Sequence, residues 1–332
     1  MSAFILATIC TICFSLRQPI ADFTGLLDHP TGHKQHTLPT PVLGGVIIWV
    51  GFLLTYFQSL PLPLTISCII VTFVGLFDDR FSLHWFTRFL IQGLAAVILI
   101  QTGTHLIQLG NIFNTGIIQL HYFCYSISFI AFMSLINGHN MLDGIDGLFA
   151  SCCISQLLLM CILSHTVNPV AFQLNAGLII CFFIFLIWNL PKHGNAKIFM
   201  GDQGTYAMGI WNTYWAITLT QQNHIPPVIM LWVLMWPIFE MMLSTTRRAY
   251  DATSPIDPDR NHMHHLLQSH GISPIKIAFI YFVCHVLAFG IGYLSLQYNE
   301  TASFLLFNVA FVMYIIIWKR LQKNVVTLQR FQ

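Results

Sequence analysis

Charge is the scarcest property of this chain. Only 8% of its 332 residues are charged, whereas 56% are hydrophobic. A soluble protein carries charge on about a quarter of its residues, because water covers its surface. A chain this poor in charge is therefore not an ordinary soluble enzyme. A lipid-facing surface removes the need for charge, so the composition predicts a membrane protein.

Basic clusters and metal-type cysteine patterns are also missing. The net charge is only +2, and no run of lysine and arginine could follow a row of phosphates, which excludes nucleic acid as a partner. All nine cysteines lie in apolar stretches. The one CxxC pair, Cys10 and Cys13, has no second pair at zinc spacing, so we interpret the cysteines as packing residues.

The chain contains instead a series of apolar stretches of membrane-spanning length, which is about 17–25 residues for a helix. They predict an all-α, polytopic integral membrane protein with about eleven transmembrane helices in a single domain over residues 1–332, and a count of ten is also compatible. The predicted spans are about 2–16, 42–58, 61–77, 86–106, 117–136, 147–165, 169–188, 204–220, 226–243, 274–296 and 302–318.

The basic residues predict the orientation of these spans. All 14 of them fall on one side of the predicted membrane, and none falls on the other. The positive-inside rule makes that side cytoplasmic, with the N-terminus outside and the C-terminus in the cytoplasm. The predicted cytoplasmic loops that carry the chemistry are 17–41, 78–85, 137–146, 189–203 and 244–273.

Carboxylates gather on the same side, and the first notable group is in FVGLFDDR (73–80). Asp78 and Asp79 end a hydrophobic helix. Negative charge at a helix C-terminus opposes the helix dipole, so something else is expected to compensate for it. A divalent cation is the obvious candidate, which favours a ligand or catalytic role over a chance polar stop.

The second group is in NGHNMLDGIDGL (137–148). Asn140, Asp143 and Asp146 follow one another at intervals of three, so they project to one side of a helix or turn. A polar turn with capping residues would explain one or two of them. Oxygen ligands beside the glycines of this motif better suit Mg²⁺ with a phosphate-bearing ligand.

The third group is in IFMGDQGTYAMG (198–209), where Asp202 lies between two glycines at the start of a predicted helix. Such a turn offers backbone N–H groups to an anion. A simple N-cap role for Asp202 explains the position equally well.

The fourth group is in SPIDPDRNHMHHLL (254–267), which holds Asp259, Arg260, His262, His264 and His265. Clustered histidines suggest zinc, but no cysteine lies near them. An arginine among them suits phosphate better than a cation, and histidine can donate to phosphate oxygens. Phosphate contact is therefore favoured over a metal site or a structural role.

These four motifs, in this order and on one membrane face, resemble those of the polyprenyl-phosphate N-acetylhexosamine-1-phosphate transferase family. HKQHTLPTPVLGG (33–45) is similar to the first cytoplasmic loop of that family. The resemblance covers the chain from about residue 20 to the end of the tenth span. The spacing of the histidine motif is similar to that of the bacterial branch that uses undecaprenyl phosphate and N-acetylglucosamine.

The resemblance implies a Mg²⁺-dependent phosphotransferase, in which Mn²⁺ can substitute. It would transfer N-acetylglucosamine 1-phosphate from UDP-N-acetylglucosamine to undecaprenyl phosphate in the bacterial inner membrane, release UMP, and start a cell-surface glycan such as O-antigen. The substrates and the bilayer are the expected partners, and a homodimer is left open. The alternatives are another UDP-N-acetylhexosamine or UDP-MurNAc-pentapeptide as donor, a non-catalytic lipid-binding paralogue, and a transporter.

The resemblance also implies roles for individual residues. Metal ligation is expected of Asp202, Asp78 and Asp79. A catalytic role is expected of Asp78, Asp79, Asp143, Asp146, His264 and His265. Substrate binding is expected of Lys34, Asn140, Phe199, Asp259, Arg260 and His262, with Phe199 stacking on uracil.

Overall fold

The structure is a computed structural model that describes residues 2–30, 39–190, 196–222, 225–250 and 261–329, with side chains in the last helix up to residue 323. Within these ranges the chain is mostly helical, as the apolar segments predict. The helices are α1 (Ser2–Ser15), α2 (Arg17–Thr24), α3 (Gly44–Tyr56), α4 (Leu62–Phe81), α5 (Trp85–Gln101), α6 (Cys124–Met141), α7 (Leu148–Ser164), α8 (Pro169–Asn189), α9 (Asp202–Gln222), α10 (Pro227–Val233), α11 (Met235–Tyr250), α12 (Met263–Ser269), α13 (Pro274–Ser295) and α14 (Glu300–Gln329).

Several of these helices have the length and composition of membrane spans, so the chain is a polytopic membrane protein. α4, α8, α13 and residues 300–323 of α14 qualify on their own. Two bent pairs qualify when each is taken as one span: α1 with α2, at 58°, and α10 with α11, at 81°. Each of the eleven predicted segments contains a helix, whereas the number of helices that cross the membrane stays a prediction.

Helix α9 lies at the centre of the bundle. It packs against α3, α4, α6 and α7, and almost every residue from Gln203 to Thr220 is buried. Lipid is as apolar as leucine, so close backbone packing through small residues stabilises such contacts. Gly75 of α4 provides one such close contact, because a Cβ at this position would lie only 2.6 Å from the carbonyl carbon of Asp202. The start of α9 is thereby held directly against α4.

Two contacts, one at each end of the bundle, are consistent with successive helices that run in alternating directions. At one end, the Arg17 guanidinium lies 4.2 Å from the ring centroid of Trp188 and its Nε donates to the carbonyl oxygen of Lys197 at 3.1 Å. This contact joins the end of α1 to the end of α8. At the other end, the backbone N–H of Asn111 donates to Oε2 of Glu300, the first residue of α14, at 2.9 Å.

A short strand pair orders the loop in front of α3. Strand β1 (Leu27–Asp28) pairs antiparallel with β2 (Thr40–Pro41). The chain then pairs with the segment in front of α9, where the Phe199 N–H donates to the Pro41 carbonyl oxygen at 2.8 Å and the Gly44 N–H donates to the Phe199 carbonyl oxygen at 2.9 Å. The segments that precede α3 and α9 therefore lie side by side.

Candidate active site

The predicted acids of three separate motifs meet where α4 ends and α9 begins. Asp78 is buried near the end of α4, and its Oδ1 accepts the backbone N–H of Leu83 at 2.8 Å. Its Oδ2 lies 3.2 Å from the hydroxyl of Tyr206, which also donates to Oδ2 of Asp202 at 2.9 Å. One tyrosine hydroxyl thus bridges an acid of α4 and an acid of α9.

Asp79 lies beneath the turn that starts α9. Its Oδ1 accepts the backbone N–H of Asp202 at 3.1 Å, while its Oδ2 is buried without a hydrogen-bond partner among the described residues. The turn depends on Gly201, which has φ of 77° and would place a Cβ 2.6 Å from that same Oδ2. Only glycine can adopt this positive φ without strain and also leave the space beside Oδ2 of Asp79 free.

Asn140, the first of the predicted residues in the second motif, completes the group from the end of α6. Its Nδ2 donates to Oδ1 of Asp202 at 2.6 Å and lies 3.1 Å from the hydroxyl of Thr205. Both oxygens of Asp202 are therefore held, one by Asn140 and the other by Tyr206. The second and third motifs, which were interpreted separately from the sequence, therefore form one site.

Two residues of the site were not identified from the sequence. Nη1 of Arg88, in the first turn of α5, donates to Oδ2 of Asp78 at 2.6 Å and lies 3.9 Å from Oδ2 of Asp202. Tyr206 follows Asp202 by one helical turn, the spacing at which two side chains share a helix face. That spacing could have indicated that Tyr206 belongs to the site. Nothing in the local sequence indicates that Arg88 reaches Asp78, which lies ten residues earlier. Arg88 supplies the compensation that the sequence led us to expect for Asp78.

The electrostatics of the site favour a bound cation. Burial and the neighbouring carboxyl of Asp78 together raise the pKa of Asp202 to about 7, against the lowering effect of Tyr206 and Asn140. The pKa of Asp143 is also raised to about 7, by the surrounding protein that reduces its hydration and by the charges of Asp202 and Asp146, although its side chain reaches the surface. Carboxylates this close need a proton or a cation to coexist.

The donor set fits Mg²⁺ in particular. The unpartnered Oδ2 of Asp79 and the carboxylate of Asp202 are hard oxygen ligands, and Mg²⁺ is typically bound by one or two carboxylates together with water and substrate phosphates. Among the described residues, no three His, Cys, Asp or Glu side chains are grouped closely enough to hold a metal by themselves. The oxygen donors present are therefore compatible with a cation whose remaining ligands come from water and a phosphate group.

The turn between α6 and α7 connects the acids to the histidine motif. Gly144 lies against two histidines of α12: a Cβ there would collide with Nε2 of His264 and lie 3.0 Å from Nε2 of His265. On the other side, Asp143 is hydrogen-bonded to the backbone of Gly201. Asp146 is half-buried in the same turn. The second and fourth motifs, more than a hundred residues apart in sequence, are therefore in direct contact.

The remaining predicted residues fall into two groups. Phe199 is half-exposed in the segment that pairs with β2 and lies just before the Gly201 turn, so it is close to the acids in sequence and in space. His262 is buried against Glu240. Lys34, Asp259 and Arg260 lie outside the residues that the structure describes, and their predicted roles stay predictions.

Comparison with known proteins identifies close similarity over almost the whole chain. The model of the family described as glycosyl transferase family 4 matches residues 62–220. The chain is 30% identical over 321 residues to the undecaprenyl-phosphate alpha-N-acetylglucosaminyl 1-phosphate transferase of Yersinia pestis, covering 93% of this chain and 88% of that protein. Identity to the proteins of the same name is 29% over 319 residues for Escherichia coli (strain K12), covering 92% and 86%, and 30% over 318 residues for Haemophilus influenzae, covering 90% and 88%.

Proposed function

The chain belongs to glycosyl transferase family 4, and from this premise we propose that it transfers N-acetylglucosamine 1-phosphate from UDP-N-acetylglucosamine to undecaprenyl phosphate. The observation that carries the proposal is the meeting of Asp78, Asp202 and Asn140, from three helices, beside the single guanidinium of Arg88. This arrangement of charges suits a substrate rich in phosphate. The names of the relatives supply the lipid acceptor and the transferred group, and the nucleotide sugar as donor is part of the proposal.

The proposed reaction exchanges one phosphoanhydride bond for another. A phosphate oxygen of undecaprenyl phosphate attacks the β-phosphorus of the nucleotide sugar, the bond from that phosphorus to the bridging oxygen breaks, and UMP leaves with the electron pair. An alkyl phosphate is already ionised at neutral pH, so the attack needs no general base. Catalysis then consists of holding the two phosphates in line and neutralising their charge.

Arg88 and Asp78 are proposed to receive the lipid phosphate. The Arg88 side chain is 33% exposed, so a phosphate can reach it, whereas the Asp78 side chain is 5% exposed. A guanidinium has five N–H donors, and the bond to Asp78 leaves others for a phosphate oxygen. Asp78 would then hold Arg88 in place rather than remove a proton.

Mg²⁺ is proposed to bind at Asp202 and Asp79. When bound there, it would neutralise negative charge on the phosphate oxygens. Asn140 and Tyr206 orient the Asp202 carboxylate through one hydrogen bond to each oxygen. We further propose that Mn²⁺ can replace Mg²⁺, because both are small cations that accept oxygen ligands.

The donor substrate is proposed to bind beside the turn that connects the acid cluster to the histidines. Asp143 and Asp146 lie in this turn, whose Gly144 contacts His264 and His265. A diphosphate beside the turn would meet the half-buried imidazole of His265 on one side and the metal on the other. Phe199 borders the same region, and we propose that uracil stacks on its ring.

The site is proposed to face the cytoplasm of a bacterium from within its inner membrane, with the N-terminus outside and eleven spans. All 14 basic residues lie on the side of the predicted spans that carries the acid motifs, which supports this orientation. A soluble nucleotide sugar and a membrane-bound lipid phosphate can meet only at such an interface. The lipid-linked product would start a cell-surface glycan such as O-antigen.

The test is an assay in membranes with UDP-N-acetylglucosamine labelled both in the sugar and in the β-phosphate, together with undecaprenyl phosphate and Mg²⁺. Transfer of sugar phosphate places both labels in the lipid and releases UMP. Transfer of the sugar alone would leave the phosphate label in released UDP and would contradict the proposal. Parallel reactions with UDP-N-acetylgalactosamine identify the preferred sugar, and membranes containing Asp202→Asn provide the control.

A further inference from the structure

Glu240 is a fully buried acid that lies apart from the acid cluster. It belongs to α11, one of the two helices of a bent apolar pair, and it has no solvent exposure. A charge inside a membrane protein is costly unless it is paired, and such residues commonly have a functional role. The partners of this carboxylate therefore indicate what it does.

Both oxygens of Glu240 are engaged by other elements. Oε2 lies 2.9 Å from Nδ1 of His262, immediately before α12. Oε1 accepts the hydroxyl of Tyr314, on α14, at 2.7 Å. Since an ionised carboxylate can only accept, the proton of His262 lies on Nδ1, and this fixes both the tautomer and the ring orientation.

The same segment is held a second time by α14. Nε1 of Trp318 donates to the backbone carbonyl oxygen of Asn261 at 2.7 Å, one residue before His262. Tyr314 and Trp318 are four residues apart and so share one face of α14. The start of α12 is therefore attached to α14 by its backbone and, through Glu240, by a side chain.

His264 is the histidine that this attachment places most closely. It is fully buried, and its Nδ1 lies 3.8 Å from Oε1 of Glu240. Neither of its ring nitrogens has a hydrogen-bond partner among the described residues. Its Nε2 faces Gly144, at the edge of the turn that carries Asp143. His264 therefore packs the start of α12 against this turn, and the neighbouring His265, which is half-buried, is the histidine that a ligand can reach.

We propose that Glu240 is a positioning residue for the donor substrate. Through His262 and Tyr314 it fixes the start of α12, so that His264 packs against the Gly144 turn and His265 contacts the sugar diphosphate. This inference rests on the proposed function, because the ligand of His265 is the diphosphate of the nucleotide sugar. A purely structural role for Glu240 would stabilise the bundle without affecting which nucleotide binds.

The experiment compares the binding of UDP-N-acetylglucosamine with that of UMP in purified full-length protein. Glu240→Gln keeps the shape of the side chain but removes its charge. We expect binding of UDP-N-acetylglucosamine and kcat/KM to fall by about 10- to 100-fold, the range typical when the partner that orients a metal-binding histidine is lost. UMP, which lacks the β-phosphate and the sugar, should bind as it does to the wild type, and the KM for undecaprenyl phosphate should not change.

His285→Gln is the matched control. His285 is also fully buried, and its Nδ1 lies 2.6 Å from the hydroxyl of Ser155, away from the proposed diphosphate position. Its substitution measures the general effect of disturbing a buried polar contact in the bundle. We expect a lower melting temperature with unchanged discrimination between the two nucleotides.

Tyr314→Phe provides a second test if Glu240→Gln folds poorly, since it removes one hydrogen bond to Glu240. It should also weaken the binding of UDP-N-acetylglucosamine relative to UMP, but by a smaller factor than Glu240→Gln. Wild-type discrimination in both variants would overturn the inference, and so would equal weakening of UMP and UDP-N-acetylglucosamine. Each result is separate from the proposed function, which fails only if the wild type transfers no sugar phosphate to the lipid.

Discussion

The sharpest test of the site geometry is a substitution that touches none of its functional groups. Gly75 lies in α4, one helical turn before Asp79. A Cβ at this position would lie 2.6 Å from the carbonyl carbon of Asp202 and closer still to the backbone of Gln203. The contact is with backbone atoms, which cannot rotate away as a flexible side chain can. Gly75→Ala must therefore displace the start of α9 from α4.

The size of the effect follows from these distances. Ordinary van der Waals contact begins at 3.4 Å, so the start of α9 must move by about 1 Å, and a shift of that size can reduce a reaction rate about 100-fold. Overpacking costs about 1–3 kcal/mol, and alanine in a helix recovers about 1 kcal/mol relative to glycine. Activity should therefore fall far more than stability.

The assay measures kcat for sugar-phosphate transfer together with the melting temperature in detergent. Gly290→Ala, in α13, is the control, because a Cβ there would meet no heavy atom within 4 Å. This variant should be fully active and at least as stable as the wild type. A Gly75→Ala protein with wild-type kcat would refute the reasoning that α4 positions Asp202 through backbone contact.

Three further predictions concern the charged groups. Asp202→Asn should reduce turnover by about 100- to 1,000-fold even at saturating Mg²⁺, because a neutral amide binds a divalent cation more weakly than a carboxylate does. Label transfer to lipid measures this, and near-normal turnover would contradict a metal role. Arg88→Lys should lower kcat/KM for undecaprenyl phosphate by about 10- to 100-fold through loss of a charge-assisted hydrogen bond, and an equal loss for both substrates would contradict its assignment to the lipid. Chelation with EDTA should stop transfer, and added Mg²⁺ should restore it. More Mg²⁺ should be required as the pH falls below 7, because protons compete with the cation for Asp202, whose raised pKa is about 7. A half-saturating Mg²⁺ concentration that does not change with pH would show that Asp202 does not bind Mg²⁺.

Local sequence predicted the helices well because each one is specified by its own composition. All eleven apolar segments contain a helix, and a break at Leu234 divides the ninth segment into α10 and α11, which are bent by 81°. No count of apolar residues would reveal this bend. The polar motifs were also identifiable, since hydrogen-bonding groups are conspicuous in a chain this apolar.

The partners within the site could not be predicted in the same way. Asp78 was expected to need a cation, but Arg88 from the next helix already neutralises part of its charge. Asn140 was assigned to substrate binding, which stays a prediction, and in the structure its amide donates to Asp202. Tyr206, which connects the two acids, was absent from every expectation. Each of these contacts joins different helices, and helix periodicity carries no information on which helices become neighbours.

The sequence by itself determined the membrane class and the helical segments, and it predicted the side on which charge gathers and the four motifs to which the chemistry is assigned. These depend on how single segments partition between lipid and water, which is a local property. Only the tertiary structure decided that α9 is central, that Gly75 lets α9 pack closely against α4, and that Gly144 contacts His264. Every helix has a similar apolar surface in lipid, so the choice of neighbours depends on close packing and on a few buried polar contacts, and these exist only once the helices have assembled.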